Sequence, residues 1–213
     1  MAKKRSYIDK ILILRPLLDK ITDSRTFIRL YSQSLRINAG IILLGVLFLA
    51  GSAFWSVAKM WSNFSGGMEV KIFFGVLLFE IFIFVTGFIV INILLIRAKD
   101  IENLPIVKIF PLNPIVVISI RMTGEITASI YSMFSIALGI IIWIGASGIL
   151  EFVPLGRLPG LSLMTSAGSS FLAGLLTIFM GGIISSGVLF ASYVTAESAE
   201  VLVAIARNTK RSS

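Results

Sequence analysis

The stretch AGIILLGVLFLAGSAFWSVA, residues 39–58, carries no charged side chain. A helix needs roughly 20 predominantly apolar residues to cross the hydrocarbon core of a bilayer, and this segment supplies them. Three further stretches qualify: residues 72–96, whose one acid is Glu80, then residues 126–150 and 171–194. Backbone N–H and C=O groups find no water in lipid, so each stretch is expected to be a helix that satisfies its own backbone. None alternates in the manner of a membrane barrel strand. The whole chain agrees, with 56% of 213 residues hydrophobic, 14% charged and a mean hydropathy of +0.96. A soluble domain carries about 25% charged residues.

The sequence therefore predicts an all-α integral membrane protein. Four transmembrane helices form two antiparallel hairpins, with amphipathic interfacial helices at the N-terminus and between helices 2 and 3. Residues 1–37 read as a basic arm, 38–194 as the membrane domain and 195–213 as a cytoplasmic helical tail.

Lys and Arg concentrate on the cytoplasmic side of membrane proteins. The arm, the connection between the second and third spans, and the tail hold sixteen of the nineteen basic residues; only Lys59, Lys71 and Arg157 fall in the other connections. Both termini are expected in the cytoplasm. Trp55 and Trp61 at the outer end of the first span and Tyr193 at the inner end of the fourth suit interfacial anchors. Some 38 residues precede the first span, too many for the leader of a cleaved signal peptide.

The arm sets Ile8, Ile11, Leu12, Leu14, Leu17, Leu18 and Ile21 among Lys3, Lys4, Arg5, Lys10, Arg15 and Lys20. It reads as one or two amphipathic helices, kinked at Pro16 and restarting at Ser24 as a cap. Such a helix anchors in the interface against anionic lipid or docks a cytoplasmic partner. Nucleic acid is not called for, because the bilayer already accounts for the charge.

The connection at 97–124 is apolar and broken by Pro105, Pro111 and Pro114, which suggests an interfacial or re-entrant segment. Asn113 before Pro114 is a candidate helix start. Asn63-Phe64-Ser65 matches a glycosylation sequon but is discounted as a short, frequent pattern. The loop at 151–170 is either a cap or a lid. In the tail, Glu197 and Glu200 share one helix face; they bind a divalent cation, pair with the basic arm, or form a solvated face.

Glu80 is the one acid deep within a span, and intramembrane ionisable groups are costly. Its readings are a helix-to-helix hydrogen bond (to a hydroxyl or Lys59), a subunit contact, or ion or proton handling. The third and fourth spans carry small residues at helical steps: Ala128, Ser132, Ser135, Gly139 and Ala146 on one, Ala173, Thr177, Gly181 and Ser185 on the other. Small residues let helix backbones approach in lipid, so these seams are expected to face each other. The Phe-rich second span suits lipid or a neighbouring subunit. A shift of 98 residues places Ala98, Glu102 and Leu104 on Ala196, Glu200 and Leu202, a weak internal repeat.

The chain has no Cys and no His, which removes disulfides, thiolate metal sites and the usual general base. Walker loops, nucleophile elbows and HExxH are absent; no catalytic, metal or cofactor residues are assigned, and no enzyme is expected. Tyr193, Ala196-Glu197, Glu200-Val201, Ile205 and Asn208-Thr209 together resemble the closing segment of small bacterial inner-membrane proteins, a likeness that implies no activity. The sequence thus points to an accessory or scaffolding subunit of a bacterial inner-membrane assembly, contacting other membrane subunits or itself. The alternative is a small transporter or channel component using Glu80.

Overall fold

Four apolar runs become four long helices: α1 (Ser24–Trp61), α2 (Gly67–Glu102), α3 (Leu112–Ile144) and α4 (Phe171–Ser212). The computed structural model describes residues 24–61, 67–104, 112–145 and 171–212. Each helix contains a stretch long and apolar enough to cross a membrane. The arm up to residue 23, the Asn63 sequon, residues 105–111 and the 146–170 loop lie outside the described residues.

The helices are longer than a bilayer requires. α1 has 38 residues, α3 33 and α4 42, or about 57, 50 and 63 Å at 1.5 Å per residue. The hydrocarbon core takes up about 30 Å. The charged end of the bundle holds the starts of α1 and α3 and the close of α4, and it carries Arg36, Arg97, Glu102, Arg121 and Glu200.

This corrects the sequence reading of the middle connection. Residues 112–124 are not a separate interfacial helix; they are the opening turns of α3, which runs unbroken to Ile144. Pro114 falls in the first turn, where its missing N–H had no intrahelical acceptor to lose. Likewise, residues 24–37 are not a detached arm helix. The described part of α1 opens at Ser24 and continues straight into the first span. At its far end α3 stops on Gly145, whose φ of +73° is a left-handed conformation that glycine adopts without a Cβ clash.

Packing follows the small and branched residues. Ile28, Leu35 and Ala39 of α1, Val90, Leu94, Ala98 and Ile101 of α2, and Ile115 and Met122 of α3 form the main buried cluster. It sits towards the charged end. A smaller cluster gathers around Ile141 at the far end, with Ile72, Val76 and Phe79 of α2. α2 therefore presents an inner face as well as an outward one, where Phe74, Phe84 and Phe88 are exposed.

Along α3 and α4, contacts ascend one helix as they descend the other. Gly124 meets Ser192, Ser135 meets Gly181 and Gly139 meets Gly174, so the two run in opposite directions. At Gly139 an added Cβ would stand 2.8 Å from the Gly174 carbonyl oxygen, and one at Gly174 would stand 2.7 Å from that of Gly139. Backbone touches backbone here, as small-residue seams permit.

Part of the 98-residue repeat has a structural counterpart. Ala98 and Ala196 are both fully buried. Four residues on, Glu102 pairs with Arg36 of α1 and Glu200 with Arg121 of α3. The likeness lapses at the third position, where Leu104 is half-buried and Leu202 exposed.

Candidate functional site

Three helices deliver charge to one place. Arg97 closes the apolar run of α2, Glu125 lies four residues after Arg121 on α3, and Tyr193 stands where α4 leaves its apolar stretch. The Arg97 guanidinium grips the Glu125 carboxylate with two donors: Nε donates to Oε2 at 3.0 Å, and Nη2 donates to Oε1. Its third nitrogen, Nη1, donates to Asp100 Oδ2 at 3.0 Å. The Tyr193 hydroxyl donates to Glu125 Oε1 at 2.7 Å. Such forked, charge-assisted bonds are stronger and more directional than neutral ones.

Arg121 extends the network. It donates from Nη2 to Glu200 Oε1 at 3.2 Å, and its guanidinium lies 5.6 Å from the centre of the Tyr193 ring. Tyr193 thus meets an acid through its hydroxyl and a cation through its face. Arg97 and Glu125 keep only 20% and 17% of their side-chain surface, whereas Arg36 and Glu102 keep about half. The first pair is therefore much more costly to break than the second.

A second polar contact ties α1 to α3. The Ser119 hydroxyl donates to the Ile115 carbonyl at 2.7 Å. Its single proton is used there, so the Tyr31 hydroxyl is the donor in their 2.7 Å contact.

The seam residues read from sequence lie at the α3–α4 contact. The Ser185 hydroxyl donates to the Ala128 carbonyl at 2.7 Å, and Ser135 packs on Gly181 while donating to the Ser132 carbonyl. Gly139 abuts Gly174 and Ile178, and the buried Thr177 donates to the Ala173 carbonyl on its own helix. Ala146 and the basic residues Lys3, Lys4, Arg5, Lys10 and Arg15 lie outside the described residues.

Glu80 stands apart from the network. Its Oε1 is buried and finds no hydrogen-bond partner among the described residues. Lys59, one partner expected for it, lies over the Trp55 ring at 5.8 Å. Among the described residues Glu200 pairs with Arg121 and Glu102 with Arg36; the basic residues of the arm up to residue 23, expected as partners of Glu197 and Glu200, lie outside the described residues.

Sequence reasoning missed Arg97, Glu125 and Tyr193 as a unit. By hydropathy the third span begins at residue 126, which leaves Glu125 just outside it. A signal was present: a cation and an acid at the same end of consecutive apolar runs.

No family model, curated protein or solved structure matches the chain.

What the arrangement can do chemically follows from its own geometry. Among the described residues no three acids gather to hold a metal ion. A groove of about 380 Å³ runs beside the network, with Glu125, Ser129, Ser132 and Ser185 on its wall. The carboxylate there already accepts three hydrogen bonds. Those bonds join α2, α3 and α4.

Proposed function

We propose that the chain is a non-catalytic, multi-pass protein of the bacterial inner membrane that serves as an accessory or scaffolding subunit of a larger assembly. In this reading the helices form two antiparallel hairpins, the charged end and both termini face the cytoplasm, and the basic arm meets anionic lipid. One observation carries it: Arg97, Glu125 and Tyr193 are spent on one another across three helices. Groups so committed are poor candidates for binding and releasing a substrate, and good ones for fixing a rigid frame. Around that frame, Leu44, Phe48 and Phe54 of α1 and Phe179 and Phe190 of α4 point outwards, an apolar surface for lipid or other membrane subunits.

Native mass spectrometry after gentle detergent extraction tests the reading. The expected result is a stoichiometric complex with other integral membrane chains. A monomer that stays alone in every mild detergent would remove the proposal.

The second reading, a transporter or channel component, rests on the unpartnered Oε1 of Glu80. An intramembrane acid without a partner is a functional hypothesis by default. Replacing Glu80 with Gln keeps hydrogen-bonding capacity and removes the ionisable group. Under the scaffold reading, Glu80→Gln assembles and supports growth like the wild type. An intact assembly with lost activity would shift the assignment to ion or proton handling.

A further inference from the structure

The groove beside the Arg97–Glu125–Tyr193 network has a volume of about 380 Å³. It starts at Glu125 and follows α3 to Met133, away from the charged end. Ile93 of α2 and Ser185 and Leu189 of α4 line it from either neighbour. All of these residues fall within the candidate membrane spans. Charged groups are costly in a hydrocarbon core, so a bilayer around this bundle sets its headgroups at the level of the network. The groove then lies next to them, among lipid chains.

Towards the charged end, the charges at its mouth are only partly spent. Arg121 stands one helical turn from Glu125, on the same face of α3. Its guanidinium makes one hydrogen bond among the described residues, from Nη2 to Glu200 Oε1 at 3.2 Å. Its buried Nε has no partner there. Glu200 keeps 55% of its side-chain surface. A cation with donors to spare and an open acid thus stand side by side.

We infer that this groove binds a zwitterionic aminophospholipid, with one acyl chain along α3, the phosphate on Arg121 and the ammonium on Glu200. Guanidinium and phosphate match as charge-assisted, forked partners. Around the mouth, Asp100, Glu125 and Glu200 outnumber Arg97 and Arg121. An ammonium is therefore favoured there, and a headgroup with negative charge alone is not. The inference rests on the membrane reading of the four helices and is independent of the scaffold role.

Size selects the same occupant. Between Glu125 and Met133 the groove runs for about 12 Å, which gives a mean cross-section of roughly 30 Å². A helix with its side chains is about 10–12 Å across, or roughly 80–110 Å² in section, and does not fit. A single hydrocarbon chain, one methylene wide, does. Half of a hydrocarbon core is about 15 Å, so the groove takes most of the depth of one leaflet.

Native mass spectrometry of the full chain in a mild detergent tests the site. The chain is titrated with phosphatidylethanolamine, phosphatidylglycerol and diacylglycerol carrying the same acyl chains. The expected result is one phosphatidylethanolamine per chain, held most tightly of the three. Diacylglycerol, which lacks the phosphate, should bind about tenfold more weakly, the loss of one charge-assisted contact. Equal binding of the three would show unselective coating by lipid and overturn the proposal. This comparison needs no variant and does not depend on other subunits co-purifying.

Three substitutions then place the lipid. Leu189 is 38% exposed, and Leu189→Trp fills the groove from its open side and should abolish the tight binding. Arg121→Gln should weaken both phospholipids. Glu200→Gln keeps the guanidinium and removes the acid, so the preference should turn from phosphatidylethanolamine to phosphatidylglycerol. If Arg121 and Glu200 serve only as an ion pair, their two variants will behave alike, and the headgroup assignment falls. Undiminished binding to a folded Leu189→Trp chain would remove the groove as the site.

Discussion

Replacing Arg97 with Ala is expected to lower stability by about 3–5 kcal/mol, the cost of leaving one member of a largely buried ion pair uncompensated. The cost is high for a structural reason. Glu125 keeps little solvent, and its carboxylate depends on Arg97 for two of its three hydrogen bonds. Arg36→Ala offers the control, since the Arg36–Glu102 pair is about half exposed and exposed pairs contribute about 0–1 kcal/mol. Tyr193→Phe removes one hydrogen bond to a charged acceptor and should fall between them, at about 1.5–3 kcal/mol. Replacing Arg97 and Glu125 together by Met should recover most of the loss, because a well-packed apolar pair often substitutes for a buried ionic one. Thermal unfolding in a single detergent, read across the four variants, checks the order. Equal effects of Arg97→Ala and Arg36→Ala would remove the clamp from the account of stability.

Gly139→Leu is the second large effect. The new side chain has nowhere to go: Ile178 and the Gly174 carbonyl already occupy the position of its first carbon. A flexible side chain can turn away, but a backbone oxygen cannot. The helices must separate, and overpacking of this kind costs about 1–3 kcal/mol or more. Separation would also disturb the far end of the seam, where the Trp143 ring stacks on Phe171 at 5.2 Å and its Nε1 donates to the Phe171 carbonyl at 2.9 Å. A lowered Tm with changed Trp143 fluorescence is the expected result. Gly182→Leu supplies the contrast, because among the described residues nothing lies within 4 Å of a Cβ built there. If both variants melt like the wild type, the seam is not a tight contact.

Hydropathy made the four helices legible, since a bilayer leaves a long apolar run few alternatives to helix. Small residues at helical steps made the α3–α4 seam legible because their periodicity is local. The start of α3 was not legible in the same way. A proline is costly in a helix interior and harmless in the first turn, and which applies to Pro114 depends on where the helix begins. The Arg97–Glu125–Tyr193 network was hidden for a different reason. Its members lie 28 and 68 residues apart and are joined only by packing, which no local pattern encodes. Glu80 was conspicuous in the sequence because it interrupts an apolar run, yet the structure gives its Oε1 no partner among the described residues.

Among the described residues, nothing lies within 4 Å of where a Cβ would sit at Gly45 and Gly51 of α1, in contrast to Gly139. Within that set, side chains at these two places are silent. They therefore work as listening posts. A bulky residue there leaves the contacts among the described residues undisturbed, and any loss it causes in the cell measures the nearness of something outside them.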